Sequence, residues 1–208
     1  QADIENLFRV IYPGNPDATG IALHLKDHFL VEKQPVRVPV FLESFWKTLC
    51  KEWPNEVKGG LLHARKATHG SPFNNINNHP HISSIDSILV HKGMVVPFSP
   101  RLAKSECDSE QLLLALDDVG LVEGIEECFG WATVAYINGR EKEIIWLYTS
   151  FSPLSILTYK KATIFLSLPI KGAIILPLKR WAAIRLDKKD KILWGPRVEN
   201  SYSNFYMF

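Results

Sequence analysis

Five of the seven histidines fall between residues 62 and 93: His63, His69, His79, His81 and His91. Imidazole is the commonest metal ligand, so metal-dependent hydrolysis is the first chemistry such a cluster suggests. The spacings fit neither the helical HExxH pattern nor a finger-type site. The three cysteines, Cys50, Cys107 and Cys128, are widely spaced and form no CxxC pair that could add thiolates. The surrounding Asn and Gly residues indicate loop geometry, in which histidines act as hydrogen-bonding side chains. The expectation is therefore no metal and no other cofactor, with the metal-dependent hydrolase kept as a third reading. Taken alone, Arg65 and Asp108 suggest nothing more than a surface ion pair.

The same segment carries motifs. Leu62–Gly70 reads LHARKATHG, and Asn78–His81 reads NHPH. Val90–Val95 reads VHKGMV, and Ser105–Glu110 reads SECDSE. Upstream, Pro16–Ala22 reads PDATGIA; downstream, Phe129–Ala132 reads FGWA. In this order they resemble the H-x-R-x-A-T-H-G, N-x-H-P-H, V-H-N-G, S-x-T-D-S-E, D-S-A-G-I-A and G-x-W-A segments of class II glutamine amidotransferases. The resemblance runs from Pro16 to Ser167, and more loosely to Trp194.

The resemblance implies an α+β fold of the N-terminal-nucleophile type, a four-layer sandwich of two stacked antiparallel sheets between helices. It also implies roles. Arg65 grips the carboxylate of glutamine, for which a fork-shaped guanidinium is suited. Asp108 pairs with the glutamine α-ammonium, and Thr68 and His69 shape the pocket. Lys92 and Gly93 occupy the Asn-Gly position that supplies oxyanion donors. Arg65, Thr68, His69, Gly93 and Asp108 are expected to converge on one pocket. His69 as a loop brace, and Gly70 and Gly93 as simple turn residues, remain open alternatives.

Two features depart from the family pattern. Its nucleophile is an N-terminal cysteine whose own α-amine, with a pKa near 8, serves as the base. No C-G-I stands in the sequence, and Gln1 cannot be a nucleophile, so the expectation is a Cys upstream of Gln1 or a degenerate relative. Lys92 also stands where the oxyanion Asn is expected. The function expected is glutamine binding with amide hydrolysis releasing ammonia if that Cys exists. The alternative is a catalytically degenerate relative that serves as a binding or structural module. An active form would need an acceptor-domain subunit, or would act alone, and a homo-oligomer is possible.

The elements that must position these groups can be read along the chain. Asp17–Leu25 reads as an alternating strand after the Pro13–Pro16 turn, with His28–Lys33 as its hairpin partner. Phe41, Leu42, Phe45, Trp46, Leu49, Cys50 and Trp53 fall at helical spacing, opposite Glu43, Lys47 and Lys51. Gly59–Arg65 reads as a strand leading into the polar loop Ala67–Pro80, and Ser84–Val90 as another strand. Asp108 or Ser109 is expected to cap a helix through Leu116, ended by Gly120. Val122–Phe129 reads as a second short helix. From Gly130 the chain reads as all-β. Trp131–Ile137 and Glu143–Thr149 flank Asn138-Gly139, a hairpin signal. Ala162–Leu168, Gly172–Leu176, Trp181–Leu186 and Ile192–Trp194 follow as strands.

With 208 residues, 46% of them apolar, the chain can bury a full core. One domain is expected over 1–195, with an aromatic C-terminal tail over 196–208 in which Tyr202, Phe205, Tyr206 and Phe208 dock on the body or on a partner. A net charge of +2 offers no field for nucleic acid or an anionic membrane, so neither is an expected partner. The charge run Asp187–Lys191 reads as a solvated hairpin tip. Cysteine usage fits a reducing, cytoplasmic setting, and no apolar run is long enough to span a membrane.

Overall fold

The computed structural model describes residues 2–11, 13–25, 28–51, 57–97, 105–159, 162–186 and 191–199. Trp53, most of the Asp187–Lys191 run and nearly all of the aromatic tail lie outside the described residues. The chain divides into two compact units, Gln1–His81 and Ile82–Phe208. Strand pairing is antiparallel in every sheet, and helices accompany the strands, as an α+β fold requires.

The first unit opens with α1 (Ala2–Ile11), a helix the sequence reading above does not assign. Its signal is nevertheless there: Ile4, Leu7, Phe8 and Ile11 recur at one helical face. Strand β1 (Ala18–His24) lies between β2 (Phe29–Gln34) and β3 (Gly59–Arg65). Every residue of β1 is buried, so the strand has no polar face, unlike the alternating strand expected. The expected amphipathic helix forms in three joined pieces. These are α2 (Val38–Phe41), a π-helical turn (Leu42–Trp46) and α3 (Lys47–Lys51). Phe41, Leu42, Trp46 and Leu49 are buried, while Glu43, Lys47 and Lys51 face solvent. The core of this unit is aromatic. The Phe8 ring stands 5.6 Å from Phe41 and 6.1 Å, edge-on, from Trp46. The Trp46 indole N–H, which must find an acceptor once buried, donates to Glu5 at 2.8 Å.

The second unit is built on a six-stranded sheet in the order β12-β11-β7-β6-β5-β4. Its strands are β4 (His81–Ile82), which straddles the unit boundary, β5 (Ile88–Pro97), β6 (Cys128–Ile137), β7 (Ile144–Thr149), β11 (Arg180–Arg185) and β12 (Ile192–Arg197). Helices α4 (Asp108–Val119) and α5 (Leu121–Glu126) supply Leu112, Leu116 and Ile125 to a core shared with Leu89, Val134, Tyr148 and Trp181. A three-stranded sheet, β10-β8-β9, holds β8 (Ser155–Tyr159), β9 (Ala162–Leu166) and β10 (Ile174–Ile175). Strand β8 is missing from the sequence reading above.

Two sequence expectations need correction. The strand expected at Ser84–Val90 begins only at Ile88 and continues to Pro97, because Lys92 and Gly93 extend it instead of turning it. Asp108 and Ser109 do not cap α4. Cys107 takes the cap position and Asp108 is the first helical residue. The hairpin expected at Asn138-Gly139 forms, with β6 and β7 paired antiparallel across it. Its connection runs from 138 to 143, and the Asn138 side chain accepts the Arg140 N–H at 2.8 Å in an Asx turn.

Truncating Phe8 removes the ring on which α1, Phe41 and Trp46 meet. We expect Phe8→Ala to lower the unfolding free energy by about 3–5 kcal/mol in urea titration, the range for a fully buried phenylalanine.

Candidate functional site

In the first unit the end of β3 carries Arg65 into the loop that follows. Its side chain is 4% exposed. A guanidinium stays charged and donates only, so burial demands acceptors. The loop provides them. One Nη donates to Asn78 Oδ1 at 2.8 Å, and the other donates to the carbonyl of His69 and, at 3.3 Å, to that of Gly70. Asn78 is held in turn: its amide nitrogen donates to the Pro72 carbonyl at 2.8 Å and to Asn75 Oδ1 at 3.1 Å. Lys33 ties the loop to β2 through a 2.8 Å bond to the Asn78 carbonyl. Asp17 anchors the loop's start by accepting the Ala67 N–H at 2.7 Å.

The structure therefore joins Arg65 to His69 through the backbone, with Thr68 exposed between them and His69 half-buried. The reading from motifs alone passes over Asn78 and Asp17 as site residues, although both lie in the quoted segments. The missed signal is chemical: a buried Arg beside a run of asparagines needs amide and carbonyl acceptors.

Three of the histidines meet in this unit. The His63 and His79 rings are 4.1 Å apart, and His79 and His81 are 4.6 Å apart, near perpendicular. They pack as rings. Among the described residues, no group of three His, Cys, Asp or Glu side chains is placed to hold a metal ion.

In the second unit Lys92 and Gly93 lie on β5. Lys92 is exposed, and its ammonium donates to the Ser167 carbonyl at 3.3 Å. Gly93 has a φ of +147°, and a Cβ there would run into the Trp131 carbonyl of β6. Only glycine fits. Asp108 is 6% exposed at the start of α4. There the helix dipole favours a carboxylate, and its Oδ2 accepts the Val95 N–H of β5 at 3.2 Å. Ser109 Oγ donates to Asp108 Oδ1 at 3.4 Å and lies 2.9 Å from His91 Nδ1.

A thiol and a phenol neighbour these elements. Burial, assisted by the negative charges of Glu127 and Asp108, pushes the Cys128 thiol up to about 12 from its ordinary 9.0. Burial likewise raises Tyr136. Among the described residues no helix is long and apolar enough to cross a membrane.

The fold these units make is that of a class II glutamine amidotransferase domain. No protein-family model matches the chain, and no curated protein matches it in sequence. The likeness is to solved structures. Glutamine phosphoribosylpyrophosphate amidotransferase from B. subtilis, complexed with ADP and GMP, matches 93% of the chain at a TM-score of 0.67 and 15% identity. A structure described as the allosteric regulatory enzyme of purine biosynthesis also matches 93%, at 0.68 and 16%. This chain covers 45% of each of those two. A glutamine aminotransferase class-II domain protein from Silicibacter pomeroyi matches 88% of the chain at 0.58 and 14% identity, with 92% of its own length covered.

The raised thiol has a stability consequence. The folded chain keeps the Cys128 proton at a pH where the unfolded chain has released it. The stabilisation is complete below pH 9 and is lost as pH rises towards 12. Tyr136 adds to the loss at higher pH, in the same direction. We expect the unfolding free energy to fall above pH 9, with a slope approaching about 1.4 kcal/mol per pH unit for one group. Urea titrations at stepped pH check this, and Cys128→Ala is expected to flatten the first part of the decline.

Proposed function

We propose that residues 1–195 are a class II glutamine amidotransferase-like domain that binds glutamine and hydrolyses its side-chain amide, given a cysteine at the mature N-terminus. The observation that carries this reading is the buried Arg65 guanidinium, fixed by Asn78 and the 69–70 carbonyls inside an A-T-H-G motif, in a chain of this fold. Arg65 binds the glutamine carboxylate, and Asp108 pairs with the α-ammonium. Thr68 and His69 border the ligand. The thiol attacks the amide carbonyl while the α-amine takes its proton. That proton passes to the leaving nitrogen, ammonia departs, and water cleaves the thioester to give glutamate. Gly93 contributes its N–H to the oxyanion, with Lys92 as the neighbouring positive charge. The ammonia passes to an acceptor domain or subunit, in a cytoplasmic setting.

Arg65→Ala is expected to abolish glutamine binding in calorimetric titration. Ammonia release tests the chemistry. A polypeptide beginning at Gln1 is expected to release none, since losing a covalent nucleophile costs roughly 10⁴–10⁶ in rate. The same chain extended by a Cys-Gly-Ile strand is expected to release ammonia slowly. Lys92→Asn in that extended chain is expected to speed it by about 10–100-fold, approaching the worth of one oxyanion donor. Robust release by the polypeptide beginning at Gln1, or glutamine binding that survives Arg65→Ala, overturns the proposal.

A further inference from the structure

Asp108 does not stand alone at the start of α4. Ser109 has one hydroxyl proton, and an ionised carboxylate can only accept. In the contact to Asp108 Oδ1, at 3.4 Å, Ser109 is the donor and uses that proton. His91 Nδ1 lies 2.9 Å from that oxygen, and in the tautomer with the hydrogen on Nδ1 it donates to Ser109. This orders the chain as His91 to Ser109 to Asp108, with the other carboxylate oxygen closed by the Val95 N–H. All three side chains are buried: His91 is 4%, Ser109 2% and Asp108 6% exposed. Buried hydrogen bonds to a charged group are worth more than surface ones and hold geometry tightly.

The same ring touches a second feature. A Cβ added to Gly93 would lie 2.8 Å from His91 Nε2. The imidazole thus packs against the Gly93 backbone on β5 while its other nitrogen reaches α4. A single side chain links the strand that carries Gly93 to the helix that carries Asp108.

We infer that His91, acting through Ser109, is a positioning residue that fixes the Asp108 carboxylate for an α-ammonium. The inference deepens the glutamine-binding reading and rests on it for its ligand. His91 and Ser109 touch no substrate. They set where the carboxylate oxygens point, and so which amino compounds are accepted.

The test uses the full chain and four proteins: wild type, Ser109→Ala, His91→Gln and His91→Asn. Asparagine keeps a donor near the Nδ1 position, whereas glutamine places its amide near Nε2, away from Ser109. Ser109→Ala and His91→Gln are expected to weaken glutamine binding about tenfold, the equivalent of one lost hydrogen bond to a charged group. His91→Asn is expected to rescue it. The control ligand is 4-carbamoylbutanoate, which is glutamine without its α-amino group, and its affinity is expected to stay unchanged in all four. A merely structural defect would weaken both ligands alike, and that result overturns the inference. A second readout needs no ligand. Hydrogen exchange at the Val95 amide is expected to quicken in Ser109→Ala and His91→Gln but not in His91→Asn. If wild type fails to bind glutamine, the functional reading falls, while the Val95 exchange still decides the positioning chain. Unchanged Val95 exchange in both weakening variants overturns it.

Discussion

A guanidinium taken out of water must have its N–H groups met by protein, and the loop after β3 is shaped by that demand. Arg65 could reach solvent as most arginines do, yet it is buried with acceptors on both terminal nitrogens. Supplying them bends the backbone so that two successive carbonyls, those of residues 69 and 70, point inward. Asn78 completes the set, and its chemistry leaves little choice. The side-chain oxygen serves Arg65 while the amide nitrogen serves Pro72 and Asn75. Aspartate would have no N–H for the second pair, and leucine would serve neither. The cost of burying the charge is thus offset by a loop whose conformation has been set around it.

The second unit solves the opposite problem, a buried anion, with the same economy. Asp108 sits where the first turn of α4 leaves positive partial charge, and it accepts an N–H from β5. Satisfying Asp108 this way fixes helix to strand. Both charged groups therefore have orientations defined by the chain itself. Preorganised groups need not reorganise when a charged ligand forms or binds, which is where electrostatic recognition gains most.

Much of this was legible in the residues, but unevenly. Strands β1 and β3 and the helical stretch from Phe41 could be read because their apolar patterns are strong and their ends are marked by turn residues. The motif residues Arg65 and Asp108 could be named from resemblance, but not their partners. Asn78 contacts Arg65 across thirteen positions, and no local pattern reports such a bond. Helix α1 was readable at Ile4, Leu7, Phe8 and Ile11, ahead of the Pro13–Pro16 turn from which Asn15 donates to the Ile11 carbonyl at 2.9 Å. Strand β5 was cut short because Lys92-Gly93 resembles a turn. Its glycine instead holds an extended conformation with positive φ, a state set by the close approach of the Trp131 carbonyl in the neighbouring strand. That is tertiary information.

Position 92 shows why a motif can lose one member and keep the rest. Lys92 and Gly93 are adjacent but bound by different constraints. The glycine is required by backbone geometry, since any side chain meets β6. The neighbouring side chain is exposed, so exchanging a short amide for a long ammonium disturbs no packing. The fold therefore tolerates the exchange. A lysine is longer and more mobile than an asparagine, and its ammonium already donates to the Ser167 carbonyl. In the proposed oxyanion role it would have to order a flexible stem, whereas a shorter amide has less to order. The charge is stronger and its placement weaker. Since preorganised donors stabilise a transition state without reorganising, under the proposed function the exchange would shift the work of holding the oxyanion onto the backbone N–H of Gly93, the member of the pair that the fold itself keeps in place.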